Sequence, residues 1–201
     1  MKRTVLAVII LLLAAGACWL VLSPNQQTSP SISEHEAHTP STQQAPTTIP
    51  PVEQWTSELV NDFQLKAMAA VMDTIGQPEF ADRIETRPEF VSPAEWLILQ
   101  SIAQQHDHPQ QEFTRMINFL RFSKLMEIWE DSDQLPTTQR SAVAEQLLLN
   151  IPDRVTAGDL GLIDAQQMQA TLINTLTVDS ESRRQRLSEE NARIGVTFEI
   201  N

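Results

Sequence analysis

The chain has 201 residues, with 26 acidic against 14 basic side chains, a net charge of −12, four histidines and one cysteine. That balance excludes a nucleic-acid binder, which needs cationic charge against phosphate, and a surface drawn to anionic lipid. A single cysteine excludes a disulfide framework within the chain, and five scattered glycines exclude a phosphate-cradling loop.

At the amino terminus, Lys2 and Arg3 precede an apolar run at 4–22 that contains neither charge nor proline. Nineteen residues at a helical rise of about 1.5 Å span roughly 28 Å, the thickness of a bilayer's hydrocarbon core. The next basic residue is Lys66. This asymmetry keeps the amino terminus in the cytoplasm and exports the rest, so the expectation is a single-pass inner-membrane protein with a periplasmic C-terminal domain. Ala15, Gly16 and Ala17 before Cys18 leave two rival readings open: a cleaved signal peptide, or a lipoprotein modified at Cys18. Trp19 to Leu22 carry the apolar run past that cut and favour the uncleaved anchor.

Residues 23–51 hold six of the twelve prolines, with Ser, Thr and Gln and almost no large apolar side chain. Such a stretch cannot bury enough surface to fold and reads as a tether whose ends lie about 30 Å apart. His35-Glu36-Ala37-His38 within it is read as solvated linker, since a disordered site does not preorganise metal ligands. With Lys2 and Arg3 set aside, the remainder carries 26 acidic and 12 basic residues, a net charge of −14. The 150 residues from 52 to 201 suffice for one domain with a real core.

From Val52 the period becomes helical. Val52, Trp55, Leu59, Phe63, Ala67, Val71 and Ile75 recur at spacings of three and four, which predicts one amphipathic helix ended by Gly76. Residues 77–91 form a long connection, with room for a short helix around 79–84; Arg83 and Arg87 within it are read as solvated. Ser92-Pro93-Ala94-Glu95 is a capping box with proline at the first helical position, opening a helix to His106. His106-Asp107-His108-Pro109 reads as a turn, without a third ligand for a metal.

Residues 112–130 are the most apolar segment of the domain. Phe113, Met116, Ile117 and Leu120 make one stripe, expected in the core. Phe119, Phe122, Met126 and Trp129 make an offset stripe, expected to meet a partner in part. Asp131-Ser132-Asp133 begins like a calcium loop, but Pro136 and Ala142 stand where glycine and the bidentate glutamate belong. A helix is expected at about 137–150, with Val143, Leu147 and Leu148 inward, broken by Pro152. Another is expected at about 164–176, with Met168, Leu172 and Leu176 on one face. A last helix follows Val178-Asp179-Ser180. It is arginine-rich (Arg183, Arg184, Arg186) and polar nearly all round, supported by pairs such as Glu189–Arg193, so it should be exposed or meet something polar. After Gly195 the period is two, an extended tail with no partner strand in the chain. The expected fold is all-α: anchor 1–22, linker 23–51, and an array or bundle of about six helices over 52–201 with a short extended tail.

No nucleophile elbow, His-Glu-x-x-His helix or Cys–His pair occurs, so no catalytic residue, metal set or cofactor is expected. The layout, a basic start, one anchor, a Pro/Ala/Thr-rich tether and a helical domain without disulfides, resembles the membrane-anchored chaperones (foldases) of Gram-negative secreted lipases. It also resembles the related accessory proteins of secreted phospholipase C, whose size it fits better. Arg115-Met116-Ile117-Asn118-Phe119-Leu120 is loosely similar to the foldases' arginine–aromatic signature, without its Phe-Asp-Tyr core. What the resemblance implies is a periplasmic accessory protein that binds a secreted lipase or phospholipase as its protein client. Arg115 and Phe119 are the nearest matches; Phe122, Trp129, Arg183 and Arg184 are added as partner-binding residues from the helix patterns. Two other readings stand beside it: a bitopic scaffold subunit of an envelope or secretion complex, and a hydrolase using a carboxylate pair.

Overall fold

The structure, a computed structural model, describes residues 49–131 and 135–196. The apolar run at 4–22, almost all of the linker and the tail at 197–201 lie outside the described residues, with the expectations of anchor, lipidation and extended tail. Among the described residues the fold is all-helical, with six α-helices and no strand. None of these helices is long and apolar enough to cross a membrane.

The stripe that predicted one helix from Val52 is divided. A single 3-10 turn, Val52–Gln54, stops at Trp55, whose backbone is extended, and Thr56 then caps α1 (Ser57–Ala70) by accepting from Leu59 N at 3.2 Å. Trp55 turns back: its indole N–H donates to Pro50 O at 2.9 Å and its ring stands edge-on to Phe63 at 6.1 Å. Helix α1 tightens into a second 3-10 turn, Val71–Thr74, and Gly76, at φ +82°, ends it in the left-handed region that costs a side chain energy. Residues 75–92 then run without helix, and the short helix at 79–84 does not form.

Helix α2 (Pro93–Ala103) starts on the capping box as expected, with Ser92 Oγ accepting from Glu95 N and Glu95 Oε2 accepting from Ser92 N. Helix α3 (Pro109–Glu130) begins with Pro109 at its first position and runs 22 residues. Helix α4 (Thr137–Thr156) continues straight through Pro152, so that proline does not break it. Helices α5 (Leu162–Leu176) and α6 (Ser180–Arg193) complete the array. Packing joins chain neighbours: α2 to α3, α3 to α4, α4 to α5 and α5 to α6, with the turn Val71–Thr74 also against α3.

The core lies between α3, α4 and α5. Ile117, Leu125, Val143, Leu147, Leu148, Ile151, Leu172 and Ile173 are fully buried, as the expected inward faces of α4 and α5 require. Helix α6 does meet something polar. Glu190 is buried between Arg186 and Arg193, and Gln169 of α5 donates to Glu190 O at 2.9 Å. Arg193 thus pairs with Glu190, one residue from the expected Glu189, because position 190 faces α5 and is withdrawn from water. A Schellman turn ends α6: Gly195, at φ +79°, donates to Ala192 O, and Val196 N donates to Asn191 O.

Candidate functional site

The buried side chains of α3 share one broad side of the helix but are of two kinds. Phe113, Ile117, Phe122 and Leu125 enter the core, while Thr114, Asn118, Arg121 and Lys124 are equally buried but polar. Spacings of four, three and three keep those four on one side of the helix. A buried polar group must find a partner, and here the partner is main chain. The segment 75–92 lies along the seam as a strap with few backbone bonds of its own.

Asn118 holds Phe80 in both directions, Oδ1 accepting from Phe80 N at 3.0 Å and Nδ2 donating to Phe80 O at 2.9 Å. A primary amide, with donor and acceptor side by side, can do this to one peptide residue. Arg121 donates to Pro78 O at 2.9 Å, Thr114 to Asp82 O at 3.2 Å and Lys124 to Phe90 O at 2.8 Å. Helix α4 adds Gln146, whose Oε1 accepts from Gly76 N at 2.6 Å while Nε2 donates to Asn150 Oδ1 at 2.9 Å. These bonds read the strap's main chain and are indifferent to its side chains.

An ion network borders one end. Arg154, 3% exposed, pairs with Glu79 of the strap and with Asp159 at 2.8 Å. Arg115 pairs with the other oxygen of Asp159 and with Glu112 at 2.6 Å. Burial raises the Glu79 carboxyl above its ordinary range, although Arg154 beside it pulls the other way. Burial also lowers Arg121 and Lys124, partly offset by Glu79 and Glu95 respectively. The Arg115 hydrogen bond holds the Glu112 carboxyl below its ordinary value. Beside Phe80 to Arg83 of the strap, a cleft of about 500 Å³ opens against the first turns of α3. Gln110, Gln111, Thr114 and Arg115 line it on the α3 side, and Phe80 to Arg83 on the other.

The residues proposed from sequence fall in several settings. Arg115 lies in the cleft wall, committed to Glu112 and Asp159. Phe119 is half-buried on α3. Phe122 is only 5% exposed and belongs to the core, which corrects its assignment to an exposed aromatic face. Phe122 is covered because α2 and α4 both pack on α3, while Phe119, Met126 and Trp129 of the same stripe are half-buried. Leu120, expected fully inside, is half-buried against the core. Trp129 is half-buried under the Arg140 guanidinium at 5.9 Å. Arg183 donates to the carbonyls of Thr177 and Val178 past the end of α5, while Arg184 is exposed and paired with Glu181 at 2.5 Å. Helices α3 and α6 are not among the pairs that pack face to face, so these residues do not form one site.

The sequence reading passed over Thr114, Asn118, Arg121 and Lys124. Their signal was available: polar residues at helical spacing inside a long helix rich in large apolar residues, beside a long connection whose backbone needs partners. Among the described residues no group of three or more His, Cys, Asp and Glu is placed to hold a metal ion. Comparison of the chain with protein-family models, with curated proteins and with solved structures finds no match in any of the three.

Proposed function

We propose that the protein is a membrane-tethered accessory protein that binds an exported polypeptide, a secreted lipase or phospholipase by the resemblance above, and assists its folding or export. The observation that carries this reading is the α3 seam, a row of side chains committed to main-chain atoms of an irregular segment, with an open cleft at its end. Chemistry of this kind suits the handling of polypeptide backbone better than the turnover of a small substrate. The apolar run and linker at the amino terminus support a tethered location at the periplasmic face of the inner membrane.

The test is affinity purification of the full chain from native envelope extract, with the recovered proteins identified by mass spectrometry. The expected result is a secreted enzyme whose refolding yield rises when the purified full chain is added. Recovery of envelope or secretion subunits alone would turn the reading to a bitopic scaffold. Recovery of a secreted enzyme whose refolding is unaffected would remove the chaperone role.

A further inference from the structure

The polar side of α3 extends a turn before Thr114, the first of its side chains bonded to the strap. Gln111 lies three residues before Thr114 and seven before Asn118, so the three share one side of the helix. Gln110 and Gln111 are exposed, line the cleft, and make no side-chain hydrogen bond to any described residue. At Asn118 the same side of the helix already shows what a carboxamide does there: it takes the N–H and the C=O of one residue of an irregular chain. The occupied part of the seam therefore displays the kind of ligand that its empty part fits.

We infer that the cleft binds an extended segment of polypeptide through its main chain, with Gln110 and Gln111 as the reading amides. This rests on the accessory-protein reading and names the part of the client that is recognised. The segment continues along α3 from the strap, next to Asp82 O, which Thr114 holds at 3.2 Å. The Phe80 ring, 36% exposed at the edge of the cleft, supplies an apolar contact that does not select among side chains. A free anion is a poorer occupant, although three arginines line the cleft. Arg115 is bound by Glu112 and Asp159, Arg154 by Glu79 and Asp159, and Arg83 faces Glu85 at 3.8 Å. Their charge is already compensated. Recognition by amides alone tolerates sequence, which a protein handling an unfolded client needs.

The test uses the full chain and three fluorescein-labelled peptides: residues 76–85 of the strap, a scrambled form, and a form with alternate backbone amides N-methylated. Fluorescence anisotropy should rise for the first two alike and not for the third. The double variant Gln110→Ala, Gln111→Ala alters exposed residues and should melt as the wild type does. It should bind the first two peptides about tenfold more weakly, the effect of losing one to two hydrogen-bonding amides. Failure of the wild type to bind any peptide would overturn the inference, as would unchanged affinity in the double variant. Undiminished binding of the N-methylated peptide would do the same by removing the main-chain basis. Capture of a secreted enzyme that survives the double substitution would sink the cleft and leave the accessory reading standing. Loss of capture by the wild type itself would sink that reading first.

Discussion

Pro152 shows how a single residue inside a helix is accommodated from a distance. A proline there removes the N–H that would bond to the carbonyl four residues earlier, which is Leu148 O. In this structure Arg193 of α6 donates to Leu148 O at 3.3 Å and to Leu149 O at 3.1 Å. The guanidinium supplies what the proline withholds, so α4 continues to Thr156. Arg193→Ala is expected to lower stability by about 1–3 kcal/mol, by leaving the freed carbonyl short of a donor and Glu190 short of a partner. In a Pro152→Ala background the restored N–H serves Leu148 O, and the cost of Arg193→Ala should shrink measurably. Urea unfolding of the four proteins of this cycle measures the coupling, and equal costs in both backgrounds would disprove the link. Asn118 is the corresponding residue in the seam. Asn118→Ala should cost about 1–2 kcal/mol, and Asn118→Asp at least as much, because a carboxylate keeps the acceptor for Phe80 N but repels Phe80 O. Circular-dichroism melts of the two variants decide this, and a stable Asn118→Asp protein would count against the two-way bond.

At the scale of the element, α3 is the helix whose two faces the sequence pattern left ambiguous. Phe122→Ala should cost about 3–5 kcal/mol, because the ring is buried with Leu125 and the vacated space cannot collapse fully. Phe119→Ala, at a half-buried position, should cost under about 1.5 kcal/mol. Thermal melts of the two variants test the ranking, and equal losses would mean that Phe119 shares the core. Helix α6 makes the complementary point. Besides Leu187 and Ile194 at the core, it is held by polar contacts, among them one buried carboxylate, Glu190, clamped between Arg186 and Arg193 at 2.9 and 2.6 Å. Such a clamp is weak evidence of net stability, yet removing one partner leaves a buried charge uncompensated.

For the whole molecule the raised carboxyls set the direction of the pH response. The folded state binds a proton at Glu79 more tightly than the unfolded chain does, because burial disfavours its charged form. Its contribution is therefore fully present below the ordinary value of 4.5 and is lost as pH rises through the folded value. Glu127 acts in the same sense, raised by burial and then by the like charge of Asp131. Glu112 has the opposite sign: its lowered carboxyl loses its contribution only as pH falls below 4.5. Self-repulsion in a chain of net charge −12 also weakens as carboxylates are protonated. The melting temperature should therefore rise from neutral pH to about pH 5, and Glu79→Gln should flatten that rise. A melting temperature that falls steadily over this range would show that Arg154 outweighs burial at Glu79.

The sequence by itself determined the features whose partners lie within a few residues. Ser92 and Glu95 close a capping box, Gly76 ends a helical turn, and Val143, Leu147 and Leu148 mark an inward face; each is local chemistry. Net charge and the apolar run at 4–22 likewise belong to the sequence alone. What the tertiary structure decided depends on groups far apart in the chain. Asn118 and Phe80 are 38 residues apart, and Arg193 lies 45 residues from Leu148. Which positions of α3 meet apolar side chains, and which meet main chain, follows from where the strap lies, and no local pattern records that. A polar residue in an apolar helix is costly to bury until a donor or acceptor is brought to it. Only the fold brings the strap's backbone to Asn118 and the guanidinium of Arg193 to the carbonyl that Pro152 leaves free.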